Sequence, residues 1–261
     1  MRVAILGMGR VGSAFATLLG RAGHEIVDDP SVAELVLIAT PDDRITEVCD
    51  ELAERGVFHA GQVVAHASGA TGLDTLASAT RAGADVLSLH PLQTFPDAEA
   101  AVEHLPGSAM AVTATEELVA ELGEQLATEI GARPFRLADE MKPLYHAAAV
   151  FASNYVVTVL AEAERLFAAA GVEDGSLWLP LTRATIDNVE RVGPEAALTG
   201  PAVRGDAGTV RANVEAIERA VPEAAELYVL LARATLELAG RAGRLDPDRR
   251  RAVEDVLSRW T

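Results

Sequence analysis

The chain has 261 residues, a net charge of −17, 49 % apolar residues and 4 % aromatic residues. Such acidity repels a nucleic-acid backbone or an anionic membrane surface, and the periodic apolar content excludes a disordered chain. One cysteine, Cys49, rules out an internal disulfide and fits a reducing cytoplasm.

An apolar strand, Val3–Leu6, runs into Gly7-Met8-Gly9-Arg10-Val11-Gly12 and then into a helix over Val11–Ala22. The first glycine makes the tight turn, the second lets a pyrophosphate approach the backbone, and the third lets helix pack on strand. The helix N-terminus adds free N–H groups and a positive dipole end. Further strands are expected at Glu25–Val27, Leu35–Ala39, Gln62–Ala67, Asp85–Leu89, Ser108–Val112 and Pro134–Leu137. Helices are expected at Asp43–Arg55, Leu73–Arg81 and Glu116–Ile130. This alternation reads as α/β, with βαβ units on a Rossmann-like parallel sheet. Ligands of such sheets bind beyond the strand ends, here Thr40-Pro41-Asp42, Ser68-Gly69 and His90-Pro91.

The sheet domain is shortened after the second strand. Only Asp28 to Glu34 join it to Leu35. Extended, these residues reach roughly 23–25 Å, against roughly 20 Å needed to return along one strand and cross two strand spacings. A crossover helix needs a dozen or more residues, so the adenosine-side unit is expected to be missing. Asp28 stands where an acid accepts a ribose hydroxyl in an NAD site, and equally where a solvated turn would place one.

From Asp139 the strand signal disappears. Asp139 to Ala170 form one long helical pattern, followed by helices at Ser176–Val192, Asp206–Ala220, Pro222–Ala239 and Asp246–Ser258. The expected domains are therefore residues 1–137 and an all-helical 138–261. The longest apolar run, Ala147 to Ala161, is too short to span a bilayer, and Gly7, Gly9 and Arg10 break any leader peptide. A cytoplasmic protein with no membrane partner is expected.

Lys142 is the only lysine. A lysine can donate a proton when its pKa is lowered, which arginine cannot do. Lys142, His146, Ala149 and Ser153 share one helix face, which could present an acid/base pair to a cleft; a surface lysine paired with Asp139 is the plainer alternative. Asn154 reads as a helix–helix hydrogen bond or a ligand contact. His66-Ala67-Ser68-Gly69 and His90-Pro91-Leu92-Gln93-Thr94-Phe95 follow strands and could line the nicotinamide end of a pocket, or their histidines could stabilise the loops. Ser68 has no nucleophile-elbow context, and the histidines lack metal-ligand spacing. Arg204 precedes Asp206, a helix cap, and would suit an anionic group or a surface ion pair.

These motifs resemble a largely uncharacterised bacterial family within the 6-phosphogluconate dehydrogenase-like and pyrroline-5-carboxylate reductase-like group. The resemblance rests on the glycine loop, Ala39-Thr40-Pro41-Asp42-Asp43, His66-Ala67-Ser68-Gly69, His90-Pro91-Leu92-Gln93-Thr94-Phe95, Lys142-Pro143-Leu144-Tyr145-His146 and Leu198-Thr199-Gly200-Pro201. It implies a helical dimerisation domain, hence a homodimer, and a cleft between domains. Hydroxyacid dehydrogenases of the wider group place a Lys and an Asn four residues apart; Lys142 matches and His146 stands in the Asn position.

The expected function is therefore reduction of a small carbonyl or imine substrate with NADP or NAD. Gly7, Met8, Gly9, Arg10, Val11 and Gly12 would hold the coenzyme phosphates, flanked by Thr40 and Pro41. Lys142 and His146 would be catalytic, and Ser68, His90, Ser153 and Arg204 would bind substrate. The alternative is a non-catalytic scaffold that lost the adenosine site and binds a smaller ligand.

Overall fold

The computed structural model describes residues 1–260 and separates into two compact units, Met1–Tyr155 and a second beginning at Val156. In the first, strands β1 (Arg2–Leu6), β2 (Glu25–Ile26), β3 (Leu35–Ile38), β4 (Val63–His66), β5 (Asp85–Leu92), β6 (Ala109–Ala114) and β7 (Arg133–Arg136) form one sheet. Their order is β2-β1-β3-β4-β5-β6-β7. The helices are α1 (Arg10–Arg21), α2 (Ile45–Glu54), α3 (Ala77–Arg81), α4 (Ala98–His104), α5 (Glu117–Glu129) and α6 (Lys142–Ala152).

Strand alternation divides the core between the two sheet faces. Leu35 and Leu37 point to the face covered by Phe15, Leu18 and Leu19 of α1 and Leu126 of α5. Val36 and Ile38 point to the other, against Ile45, Cys49 and Leu52 of α2. Both faces are thus sealed, as parallel strands require.

β6 departs from the expected all-parallel sheet. It runs antiparallel to β5, pairing Leu87 with Ala114 and Leu92 with Ala109. The intervening α4, absent from the sequence reading, has seven residues. It spans about 10 Å, against about 26 Å for the eight residues of β5, and the chain does not return to the far edge before β6 begins. The chain therefore enters β6 at the end where β5 stopped.

The short link after β2 has the expected economy. Pro30–Val32 make one tight helical turn, capped by Asp29, whose carboxylate accepts from the Ser31 N–H at 2.9 Å. Among the described residues no strand lies outside β2.

The long helical pattern from Asp139 breaks at Ser153, whose φ of −127° and ψ of −70° separate α6 from α7 (Asn154–Ala169). The boundary between units falls at Tyr155, beyond the expected residue 137. The reason is that α6 is fastened to the sheet domain: the Asp139 carboxylate accepts from the Leu73 N–H at 3.0 Å, and Lys142 reaches the loop after β4 and the middle of β5. Asp139–Ala169 is long and apolar enough to cross a membrane by length and composition only, and Ser153 divides it into α6 and α7.

The second unit continues through α8 (Leu179–Val192), α9 (Pro194–Ala197), α10 (Pro201–Arg204), α11 (Ala207–Ala220), α12 (Ala225–Arg241) and α13 (Pro247–Leu257). Val210, Val214, Val229, Leu236, Val253 and Leu257 build its core. Asp206 caps α11 as expected, accepting from the Thr209 N–H at 3.0 Å and hydroxyl at 2.7 Å. Phe167 stacks on Trp178.

Candidate functional site

The glycine loop is built for a close approach. Gly7 takes φ +95°, and a Cβ there would lie 2.7 Å from the Ala39 carbonyl. A Cβ on Gly12 would fall 2.0 Å from the Gly7 oxygen, so α1 can sit on the loop only with glycine at that position. Gly9 instead faces open space within 4 Å. It precedes α1 with no side-chain cap, and no acidic residue follows in the first turn. These features leave an unblocked helix N-terminus able to receive a phosphate. The Thr40 hydroxyl, at the neighbouring strand end, is buried without a hydrogen-bond partner among the described residues. The loop therefore fits the phosphate portion of a dinucleotide, while the edge strand β2 gives its adenosine end no further strand to lie on.

A pocket of about 790 Å³ opens beside this loop, lined by Arg10, His90, Tyr145, His146, Ser153 and Asn154 with apolar neighbours from Val11, Phe95 and α6. Arg10 donates to the Phe95 carbonyl at 2.8 Å, joining the first turn of α1 to the segment after β5. His90 Nδ1 lies 2.8 Å from the Tyr145 hydroxyl, and the His146 ring centroid is 6.4 Å from that of His90. The Nδ1 of His146 is buried without a partner among the described residues.

Of the residues expected from sequence, Arg10, Val11, His90, His146 and Ser153 come together at this pocket. Lys142 does not. Its side chain is fully buried, and Nζ donates to the Ser68 carbonyl at 2.9 Å and the Ser88 hydroxyl at 2.8 Å. Lys142 is thus neither the surface lysine nor the cleft-facing donor considered from helix periodicity. Its first-turn position aims it at the strand ends, whereas His146 and Ser153 lie farther along α6 beside the pocket.

Ser68 is likewise absorbed into the loop after β4. Its hydroxyl accepts from the Ala70 and Thr71 N–H groups, and its N–H donates to His66 Nδ1. Met8 is exposed, with its carbonyl accepting from the Ser13 hydroxyl at 3.0 Å. Pro41 opens the exposed turn over Asp42–Arg44. Arg204 belongs to the second unit, where it ends α10 beside Gly205. Asn154 opens α7 and lines the pocket.

Burial sets the charge states here. It pushes His66 down to about 3 and His90 down to about 4, with the Lys142 ammonium as the second cause in each. Burial also lowers Lys142 to about 8, against the opposing pull of Asp139 and Asp42, and raises Tyr145 to about 12. Gln93 and Phe95 line the pocket as expected of the segment after β5, whereas Tyr145 had no role of its own from sequence; it stands three residues beyond Lys142 and directly before His146, which was its one available signal. Among the described residues no group of three or more potential metal ligands occurs.

A Rossmann-type sheet, a glycine loop and a following helical region define the class of this protein. The chain matches a Rossmann-like domain model over residues 26–91 and the domain of unknown function DUF2520 over 108–235. The second of these matches runs from β6 into α12. No curated protein matches the chain.

Similar solved structures include a Bacteroides fragilis protein with a provisional NADP oxidoreductase assignment, at 21 % identity and TM-score 0.73 over 90 % of this chain and 98 % of that one. A Thermotoga maritima protein aligns at 23 % identity and TM-score 0.72, covering 93 % and 100 % of the two chains. An imine reductase variant from Myxococcus stipitatus, solved with NAD+, aligns at 14 % identity and TM-score 0.64, covering 99 % and 98 %. At these identities the likeness establishes the fold.

Proposed function

We propose that this protein is an NAD(P)-dependent oxidoreductase that reduces a small carbonyl or imine compound. The observation that carries the reading is that Arg10 and Val11, directly after the open Gly9, line the pocket holding His90, Tyr145 and His146. The provisional NADP oxidoreductase and the NAD+-bound imine reductase among the similar structures support it.

Gly7, Gly9, Gly12 and the first N–H groups of α1 would hold the coenzyme phosphates, with Arg10 and Thr40 beside them. A bound reduced nicotinamide supplies hydride. His90, Tyr145, His146, Ser153 and Asn154 offer the substrate hydrogen bonds, and the apolar wall of α6 limits water around it. Lys142 acts from behind the pocket, fixing the loop after β4 to the middle of β5 and adding positive potential.

The test is coenzyme oxidation at 340 nm with a panel of small ketones, oxo acids and cyclic imines. Turnover that Gly9→Ala abolishes supports the proposal; no turnover across the panel opposes it. The edge position of β2 favours the second reading, a scaffold that binds a smaller phosphate ligand without catalysis.

We also infer a homodimer through the helical region. Leu181 (67 %), Val157 (66 %) and Ile186 (53 %) leave large apolar surfaces exposed on α7 and α8. Sedimentation at micromolar concentration tests this, and a monomer would refute it. A cytoplasmic location fits Cys49, which is buried and unpaired.

A further inference from the structure

We propose that the pocket reduces a carbonyl group rather than an iminium, with the Tyr145 hydroxyl giving its proton to the carbonyl oxygen. The inference rests on the coenzyme reading above and narrows its substrate class.

The electrostatics of the wall come first. Among the residues lining the pocket, the Arg10 guanidinium carries a fixed charge, and no carboxylate is present to balance a cation. Behind the wall lies the fully buried Lys142 ammonium, held by the Ser68 carbonyl and the Ser88 hydroxyl. An iminium would meet the Arg10 guanidinium in a wall that carries no carboxylate, while Asp139 and Asp42 offset only the Lys142 charge behind it. A neutral carbonyl gains negative charge as it is reduced, and that charge meets a potential of the favourable sign.

The placement of Tyr145 supplies the donor. Its ring packs edge-on against His90 at 5.5 Å and against Phe135 at 6.0 Å, and its oxygen lies 2.8 Å from His90 Nδ1. The opposite side of the His90 ring rests over Gly69, where a Cβ would come within 2.6 Å of Nε2. The imidazole is therefore clamped, and in the proposed state its single proton sits on Nδ1 and is donated to the phenol oxygen. This leaves the phenol hydrogen free to point into the pocket.

The phenol is also matched to one product and not the other. Burial holds its pKa up to about 12. An alkoxide is about as basic as hydroxide, with water at about 15.7, so it takes this proton downhill. An imine nitrogen is far too weak a base to do so. The step balances: hydride from a reduced nicotinamide adds to the carbonyl carbon, and the π electron pair moves to oxygen. That oxygen takes the Tyr145 proton, and water reprotonates the phenolate. His90 Nδ1–H and the Lys142 charge stabilise the phenolate meanwhile. His146, with its unpaired buried Nδ1, provides a second polar contact to the same oxygen.

The experiment compares cyclopentanone with 1-pyrroline, a ring-matched carbonyl and imine, in wild type and Tyr145→Phe. We expect kcat/KM at least about tenfold higher for the ketone. Tyr145→Phe should lower ketone kcat by about 10²-fold while the NADH dissociation constant stays unchanged. A preference for the imine, or wild-type ketone turnover in Tyr145→Phe, overturns the proposal.

Calorimetry with cyclopentanol and pyrrolidinium reads the same preference without turnover. Neutral alcohol binding that weakens in Tyr145→Phe supports it. Tighter binding of the cation, or binding of neither at millimolar concentration, overturns it. Failure of the underlying coenzyme reading is separately visible as absence of NADH and NADPH binding.

Discussion

The Lys142 ammonium donates to the Ser88 hydroxyl at 2.8 Å and so ties α6 to the middle of β5. Because the group is buried, its pKa falls from the ordinary lysine value of 10.5 to about 8. Between these values the unfolded chain holds more protons than the folded one, so stability rises with pH across that window. The slope from this group is at most about 1.4 kcal/mol per pH unit. Urea unfolding at pH 8 and pH 10 should show this rise in wild type relative to Lys142→Met. Equal pH dependence in the two proteins would contradict the buried placement.

His66 and His90 titrate in the opposite part of the scale. Their folded pKa values, about 3 and about 4, lie below the ordinary 6.5. The stability they confer is complete above pH 6.5 and is lost as pH falls toward those values. Each contributes at most about 1.4 kcal/mol per pH unit in that range. Proton NMR of the imidazoles should find both still neutral at pH 5. A midpoint near 6.5 for either would contradict its burial.

Gly9 and Gly12 separate fold from binding. Gly9 has φ −75°, which alanine adopts without strain, and open space where a Cβ would sit. Gly9→Ala should melt like wild type yet lose coenzyme affinity at least about tenfold. Gly12→Ala would drive its Cβ into the Gly7 carbonyl and should lower stability by roughly 3 kcal/mol. Thermal melts and nicotinamide fluorescence check both, and identical behaviour of the two variants would contradict the cradle.

Asp206 holds the start of α11 through two bonds to Thr209. Asp206→Ala should lower the stability of the helical region by about 1 kcal/mol, and Asp206→Asn should recover most of it. Denaturation of the full chain followed by far-ultraviolet circular dichroism measures the difference.

Much of this was legible because local patterns dominate a Rossmann sheet. The strand runs, the three glycines, the seven-residue link after Val27 and the Asp206 cap each follow from nearby residues. β6 reverses direction after α4, a seven-residue helix too short to stand out by periodicity. Lys142 illustrates a different limit. Helical spacing placed it on a face with His146, but side-chain direction and the position of Ser88, 54 residues away, decide where its amine goes. Tyr145 was hidden for the same reason, since its partner His90 lies 55 residues earlier on β5.

The most direct test is titration of the purified protein with NADH and NADPH, followed by nicotinamide fluorescence and calorimetry in parallel. Micromolar binding of either coenzyme, lost in Gly9→Ala, is the predicted result. No binding of either up to millimolar coenzyme would contradict the dehydrogenase account and leave a Rossmann scaffold serving a smaller ligand.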